Sequence, residues 1–155
     1  MSSHSSGNEA AVHKQIETWL DATRAMDVEA LRACYVPDMV SYDCHSVFQF
    51  RGIDAYSRHL EMCFSHMKSP ATIETHDLSI VADEHLAFCH LTMRCGCTSK
   101  SGSEHWSWLR STVCLRKIDG RWLIAHDHCS APFDPMTEKA MLDAGGPSAE
   151  RDRAA

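Results

Sequence analysis

The sequence predicts an α+β fold, a curved antiparallel sheet folded over helices. Apolar residues recur at helical spacing up to Met67, and four long β-rich runs follow Pro70 with short turn sequences between them. At 155 residues the chain is one domain's worth, enough to bury about 70% of the surface its unfolded form exposes. No internal repeat or second domain is visible.

Residues 1–8, "MSSHSSGN", are Ser-rich and form a disordered N-terminus in this reading. From Glu9 to Ala25, Val12, Ile16, Trp19, Leu20 and Thr23 recur at three and four residues, which predicts helix 1. Asp27 is a good N-cap for a short second helix, "VEALRACY", which Pro37 prevents from continuing. "MVSYDC" is strand-like. After a glycine turn, Ile53, Tyr56, Leu60, Cys63, Phe64 and Met67 mark an amphipathic third helix that stops before Pro70.

The strand-rich half reads "ATIETHDLSIVAD", "HLAFCHLTMRCGCTS", "SEHWSWLRSTVCLRKI" and "RWLIAHDHCSAPF", an antiparallel meander. Its breaks are Ala82-Asp83-Glu84, Lys100-Ser101-Gly102 and Asp119-Gly120, the last a strong hairpin signal. The domain is placed at 9–135. The tail, 136–155, is expected to form a helical turn or more, then fray into Gly, Pro and charge.

Charge and composition exclude several roles. Fifteen Lys and Arg against 21 Asp and Glu give −6, with no basic run to follow a phosphate backbone, so no nucleic-acid partner is expected. No apolar stretch approaches a membrane span, and the opening residues lack the features of a signal peptide. The expectation is a soluble, cytoplasmic protein whose eight cysteines are reduced thiols, mostly packed as small hydrophobes. Cys95 and Cys97 are spaced C-x-C, a weak metal signal.

Alternation along the last strand sets Trp122, Ile124, His126, His128 and Ser130 on one face, taken as inward because of the tryptophan, and Leu123, Ala125, Asp127 and Cys129 on the other. Neither face is a charged, solvent-type face. Helices over one side and a second subunit over part of the other account for this, so a homodimer, or a higher oligomer, is expected.

The helix order and the segment "RKIDGRWLIAHDHCSAPFDP" resemble the nuclear transport factor 2-like superfamily, in its SnoaL-like, ketosteroid-isomerase-like branch. The same segment is similar to the end of the association (hub) domain of calcium/calmodulin-dependent protein kinase II, with its Asp-Gly turn, tryptophan, H-x-H pair and Ser-Ala-Pro ending. The resemblance covers roughly Val12 to Pro135. It implies a cone-shaped, cystatin-like α+β barrel, with the sheet wrapped over the N-terminal helices and a pocket opening into the cone. Relatives include isomerases, polyketide cyclases and dehydratases, which keep an Asp or His inside the cone, and non-catalytic assembly domains. Two departures stand out: helix 1 has Trp19 and no tyrosine to act as a phenolic oxyanion donor, and His90 takes a position where the hub family presents an arginine.

The residues leave several readings open. His126 and His128, roughly 7 Å apart on a strand, are either satisfied core histidines or a site in which one transfers protons near neutral pH. Asp43 is the carboxylate that would tune them if it points inward, and alternation admits only one of Tyr42 and Asp43. His45 shares the parity of Asp43. Trp106, Trp108 and Arg110 share a face that builds either a pocket for an anionic or flat ligand or a subunit interface, and one bulge exchanges the two. A metal site at His126 and His128, completed by Asp43, His45 or His90, is permitted by spacing but not specific. No G-x-S-x-G elbow is present.

The sequence thus points to a pocket protein for a small molecule, with no cofactor and no membrane or nucleic-acid partner. The first expectation is proton-transfer chemistry (cyclase, isomerase or dehydratase) on a hydrophobic carbonyl compound, with His126, His128 and Asp43 as the catalytic set. His90, Trp108, Arg110, Tyr42, His45 and Trp19 are expected to contact the ligand. The alternatives are a non-catalytic binding or assembly module and a metal-binding protein using the H-x-H pair.

Overall fold

The computed structural model describes residues 3–44, 47–68, 70–143 and 146. Helix α1 (Ser3–Ala25) starts upstream of its amphipathic stretch and buries Val12, Ile16, Trp19 and Leu20. Met26 adopts a positive φ of 56° and ends it. The Asp27 carboxylate then accepts from the Ala30 N–H at 3.0 Å, the expected cap of α2 (Val28–Ala33).

Where the sequence suggested a helix up to Pro37, the chain turns extended two residues earlier, in β1 (Tyr35–Tyr42). Pro37 is tolerated because the pairing of β1 shifts register between Tyr35 and Val40, where a missing N–H breaks no ladder bond. A two-residue strand, β2 (Phe50–Arg51), precedes the Gly52 turn (φ 81°) and α3 (Ile53–Ser65).

Strands β3 (Thr72–Ala82), β4 (Leu86–Thr98), β5 (Glu104–Ile118) and β6 (Arg121–Ser130) form the expected antiparallel meander. Asp119 and Gly120 turn the last hairpin with φ of 49° and 79°, the conformation that Asp-Gly favours. The sheet order is β2-β1-β6-β5-β4-β3. One pairing corrects the wholly antiparallel expectation: β1 lies parallel to β6. The long connection through α3 and the meander brings the chain back beside β1 in the same direction.

The curled sheet holds the three helices on its inner side, the α+β arrangement the sequence predicted. Ile16, Leu20, Leu31, Met39, Leu115 and Ile124 are almost fully buried between them. In the tail, a small hairpin of β7 (Phe133–Asp134) and β8 (Lys139–Ala140) stands where a helical turn was expected. The Asp134 carboxylate accepts from the Met136 N–H and the Thr137 hydroxyl, both at 2.8 Å, which favours a turn over a helix.

An irregularity in β6 repositions the residues singled out from sequence. Leu115 pairs with Ile124 and Cys114 with His126, so Ala125 is an extra residue. The inward row therefore runs Trp122, Ile124, Asp127, Cys129 rather than through the two histidines. The even alternation drawn from sequence fails at that single bulge.

Candidate functional site

Between the concave sheet face, α1 and α3 lies a cavity of about 670 Å³, within the usual range for small-molecule sites. Its wall is mostly apolar: Leu20, Leu60, Phe64, Ile73, Met93 and Leu109 contribute. Polar groups converge from four elements and one connecting segment: Trp19 on α1, Asp43 just after β1, Tyr56 and His59 on α3, and Ser111 and Asp127 on the neighbouring strands β5 and β6.

Asp127 is the most deeply set titratable group of these, with 5% of its surface exposed. Its Oδ2 accepts from the Tyr35 hydroxyl at 2.7 Å, and the Tyr35 oxygen accepts from the Trp19 indole N–H at 2.9 Å. Oδ1 is buried and has no hydrogen-bond partner among the described residues. Burial pushes the Asp127 carboxyl above the ordinary carboxylate range, with the Ser41 and Tyr35 hydroxyls acting against it and the Asp43 charge adding to it. Burial also raises the Tyr35 and Tyr56 phenols well above their usual value, so both stay protonated. The bulge at Ala125 and the register Ser41↔Asp127 together point this carboxyl inward.

The second carboxylate, Asp43, lies 3.5 Å from Nε2 of His59. His59 belongs to a three-ring cluster: Phe50 stacks on it at 4.4 Å and Tyr56 lies 6.2 Å away between ring centroids. Tyr56 and His59 follow from the helical period of α3, which presents residues three and four apart on one face. The Cys63 sulfur sits 3.6 Å from His59 Nε2.

The residues expected from sequence divide. Asp43 and Trp19 line the cavity. His126 and His128 do not: Nδ1 of His126 sits 2.8 Å from the Val40 carbonyl, His128 is exposed, and both rings pack edge-on against Tyr42 on the outer face of the sheet. His90 and Arg110 are exposed on that same outer face, and Trp108 lies there half-buried, 5.1 Å from the His76 ring. The bulge in β6 moved the histidines, and regular alternation in β4 and β5 moved the other three, because Leu91, Leu109 and Ser111 take the inward positions. Tyr42 faces outward as the counterpart of inward Ser41. His45 lies outside the described residues. Among the described residues no group of three or more His, Cys, Asp or Glu is placed to hold a metal ion.

Sequence reasoning missed Asp127, Tyr35, Tyr56 and His59 as polar members of the site. The one accessible signal was His59, three residues after Tyr56 and four before Cys63 on the buried stripe of α3.

Residues 12–134 match the family model of the SnoaL-like domain. The chain belongs to that family. Among solved structures, this SnoaL-like domain is similar to an NTF2-like protein of unknown function from Pseudomonas putida KT2440, at 35% identity and a TM-score of 0.82, over 90% of this chain and 97% of that one. It is also similar to a ketosteroid isomerase-like protein from Erwinia carotovora atroseptica (20% identity, TM-score 0.69, 79% of this chain and 95% of that one). A candidate calcium/calmodulin dependent protein kinase II association domain from Xanthomonas campestris matches at 22% identity and a TM-score of 0.70, over 78% of this chain and 85% of that one. The last two establish a shared fold. No curated protein matches the chain. Among the described residues, no helix of this SnoaL-like domain is long and apolar enough to cross a membrane.

Proposed function

We propose that the chain is an enzyme of proton transfer next to a carbonyl, acting as an isomerase, cyclase or dehydratase on a small hydrophobic molecule. The observation that carries this is the pair of unlike carboxyls on one apolar cavity: Asp127, buried with Oδ1 unpaired, and Asp43, beside His59. A carboxyl whose burial favours its protonated form and a second carboxyl beside an imidazole supply an acid and a base in this reading.

In this reading Tyr35 donates to Oδ2 of Asp127, which leaves Oδ1 to carry the proton that burial favours and to donate it to the substrate oxygen as charge develops there. Asp43 removes the proton from the adjacent carbon, and His59 holds Asp43 in place. His126 and His128 take no part in the chemistry. The outer sheet face, with Tyr42, Phe88 and Leu86 exposed beside His90 and His128, is assigned to a second copy of the chain as a homodimer. In this reading the protein works in the cytoplasm, where thiols such as its eight cysteines stay reduced.

Exchange of α-hydrogens for deuterium in 2-tetralone and other cyclic ketones, followed by proton NMR, tests the chemistry without knowledge of the natural substrate. The wild-type protein should accelerate exchange, and Asp43→Asn should lower that rate by roughly 10²–10⁴-fold. Failure to accelerate exchange in any of a panel of such ketones would sink the assignment.

A further inference from the structure

Five of the eight cysteines, Cys44, Cys63, Cys95, Cys97 and Cys129, line this one cavity. Packing as small hydrophobes accounts for Cys34 and Cys89, which are buried in the core, but not for thiols gathered around a cavity that carries two carboxyls. Two of the five stand in a special relation. Strands β1 and β6 are parallel neighbours whose ladder ends at Tyr42↔His128, so Cys44 and Cys129 emerge from the same end of adjacent strands. Adjacent strands lie about 4.8 Å apart, inside the roughly 4.4–6.8 Å between Cα atoms that a disulfide spans. Both sulfurs line the same cavity wall, and Cys44 is close enough to act on the Cys129 thiol.

We infer that Cys44 and Cys129 are a dithiol modification site, converted reversibly to a disulfide by a peroxide at the cavity edge. The roles follow from exposure. Cys44 is exposed and meets the oxidant first, while Cys129 is half-buried behind it. The neighbouring Cys44 sulfur together with burial holds the Cys129 thiol well above the usual thiol range, which leaves the first attack to Cys44.

The Cys44 thiolate attacks one peroxide oxygen, the O–O bond breaks, and Cys44 becomes a sulfenic acid as the other oxygen leaves as hydroxide, which takes up the proton Cys44 gave up on ionising and becomes water. The Cys129 sulfur then attacks the sulfenic sulfur, the S–O bond breaks, and the hydroxyl leaves as a second water with the Cys129 proton. The two electrons lost by sulfur reduce the peroxide.

Each sulfur lies next to or near a carboxyl of the proposed site, Cys44 directly after Asp43 and Cys129 two residues after Asp127. The disulfide therefore ties together the two segments that carry those groups. The site itself stands whether or not the proton-transfer reading holds, since its test reads sulfur chemistry alone.

The test treats the whole protein with hydrogen peroxide, alkylates under denaturing conditions and maps tryptic peptides. Residues 33–51 carry Cys34 and Cys44, and residues 122–139 carry Cys129, so fragmentation of the linked pair identifies the bridge. The expected result is the loss of two thiols per chain, a Cys44–Cys129 link, and full recovery with dithiothreitol. Cys44→Ser and Cys129→Ser should each abolish the link, Cys129→Ser leaving Cys44 oxidised alone, whereas Cys97→Ser should retain it. The inference is overturned if Cys129 stays open to alkylation while Cys44 passes to the sulfinic acid, if the bridge joins Cys95 or Cys97 instead, or if no thiol is lost. Mapping of the wild-type chain decides between these results even where a variant folds poorly.

Discussion

Replacing Tyr35 by Phe removes one oxygen and leaves the ring, with its edge-on contact to Tyr56 at 5.7 Å. That oxygen sits between the Trp19 indole N–H at 2.9 Å and Asp127 Oδ2 at 2.7 Å. Its loss strands the buried Trp19 donor and removes one of the hydrogen bonds to the buried Asp127 carboxyl, each costing about 1–3 kcal/mol. The expected destabilisation is about 3 kcal/mol, or roughly 6–12 °C in Tm for a chain of this size. Urea unfolding at constant m measures it. In an Asp127→Asn background the penalty should change by at least about 0.5 kcal/mol, because the two residues share one network. A loss below about 0.5 kcal/mol in the wild-type background, or strict additivity with Asp127→Asn, would refute the network as the organiser of the site.

Other outcomes follow from the same contacts. Burial raises the folded-state pKa of Asp127 above its unfolded value of about 3.9, so the folded state binds that proton more tightly. Stability is then full below about pH 4 and falls as pH rises through the raised value; Asp127→Asn should remove this decline, and parallel unfolding midpoints across pH for the two proteins would contradict it. His59→Phe keeps the stack on Phe50 but loses the group beside Asp43, so Tm should hold within about 4 °C, a change of roughly 1 kcal/mol, while ketone deuterium exchange falls about tenfold or more. A Cβ at Gly96 would meet the Trp106 ring at 2.6 Å. Gly96→Ala should therefore swing that half-exposed ring away from Arg94, which lies 4.3 Å over it, at a cost of about 1 kcal/mol by urea unfolding.

Much of the fold was legible because its signals are local. The Asp27 cap, the Gly52 turn and the Asp119-Gly120 hairpin each depend on a few adjacent residues whose backbone preferences are strong. The parallel β1–β6 contact was not, since nothing in either strand encodes its distant partner. The site was legible only in part for the same reason. Asp43 and Trp19 were identified, yet the face of β6 depends on Ala125, a residue with no turn chemistry that happens to be unpaired in the ladder. One extra residue transfers the inward position from His126 and His128 to Asp127 and Cys129, and period-two counting has no means of registering it.

The hydrogen bond from Tyr35 to Asp127 joins positions 92 residues apart in the chain. On a ribosome, β1 is complete long before β6 exists, and its ladder edge must wait while four other strands are made. The meander can pair strand by strand through short hairpins, whereas closure of β1 onto β6 carries the loop entropy of most of the chain. The two carboxyls therefore come to share one cavity late in folding, and the nascent protein exposes an unpaired strand and an open apolar wall until that closure.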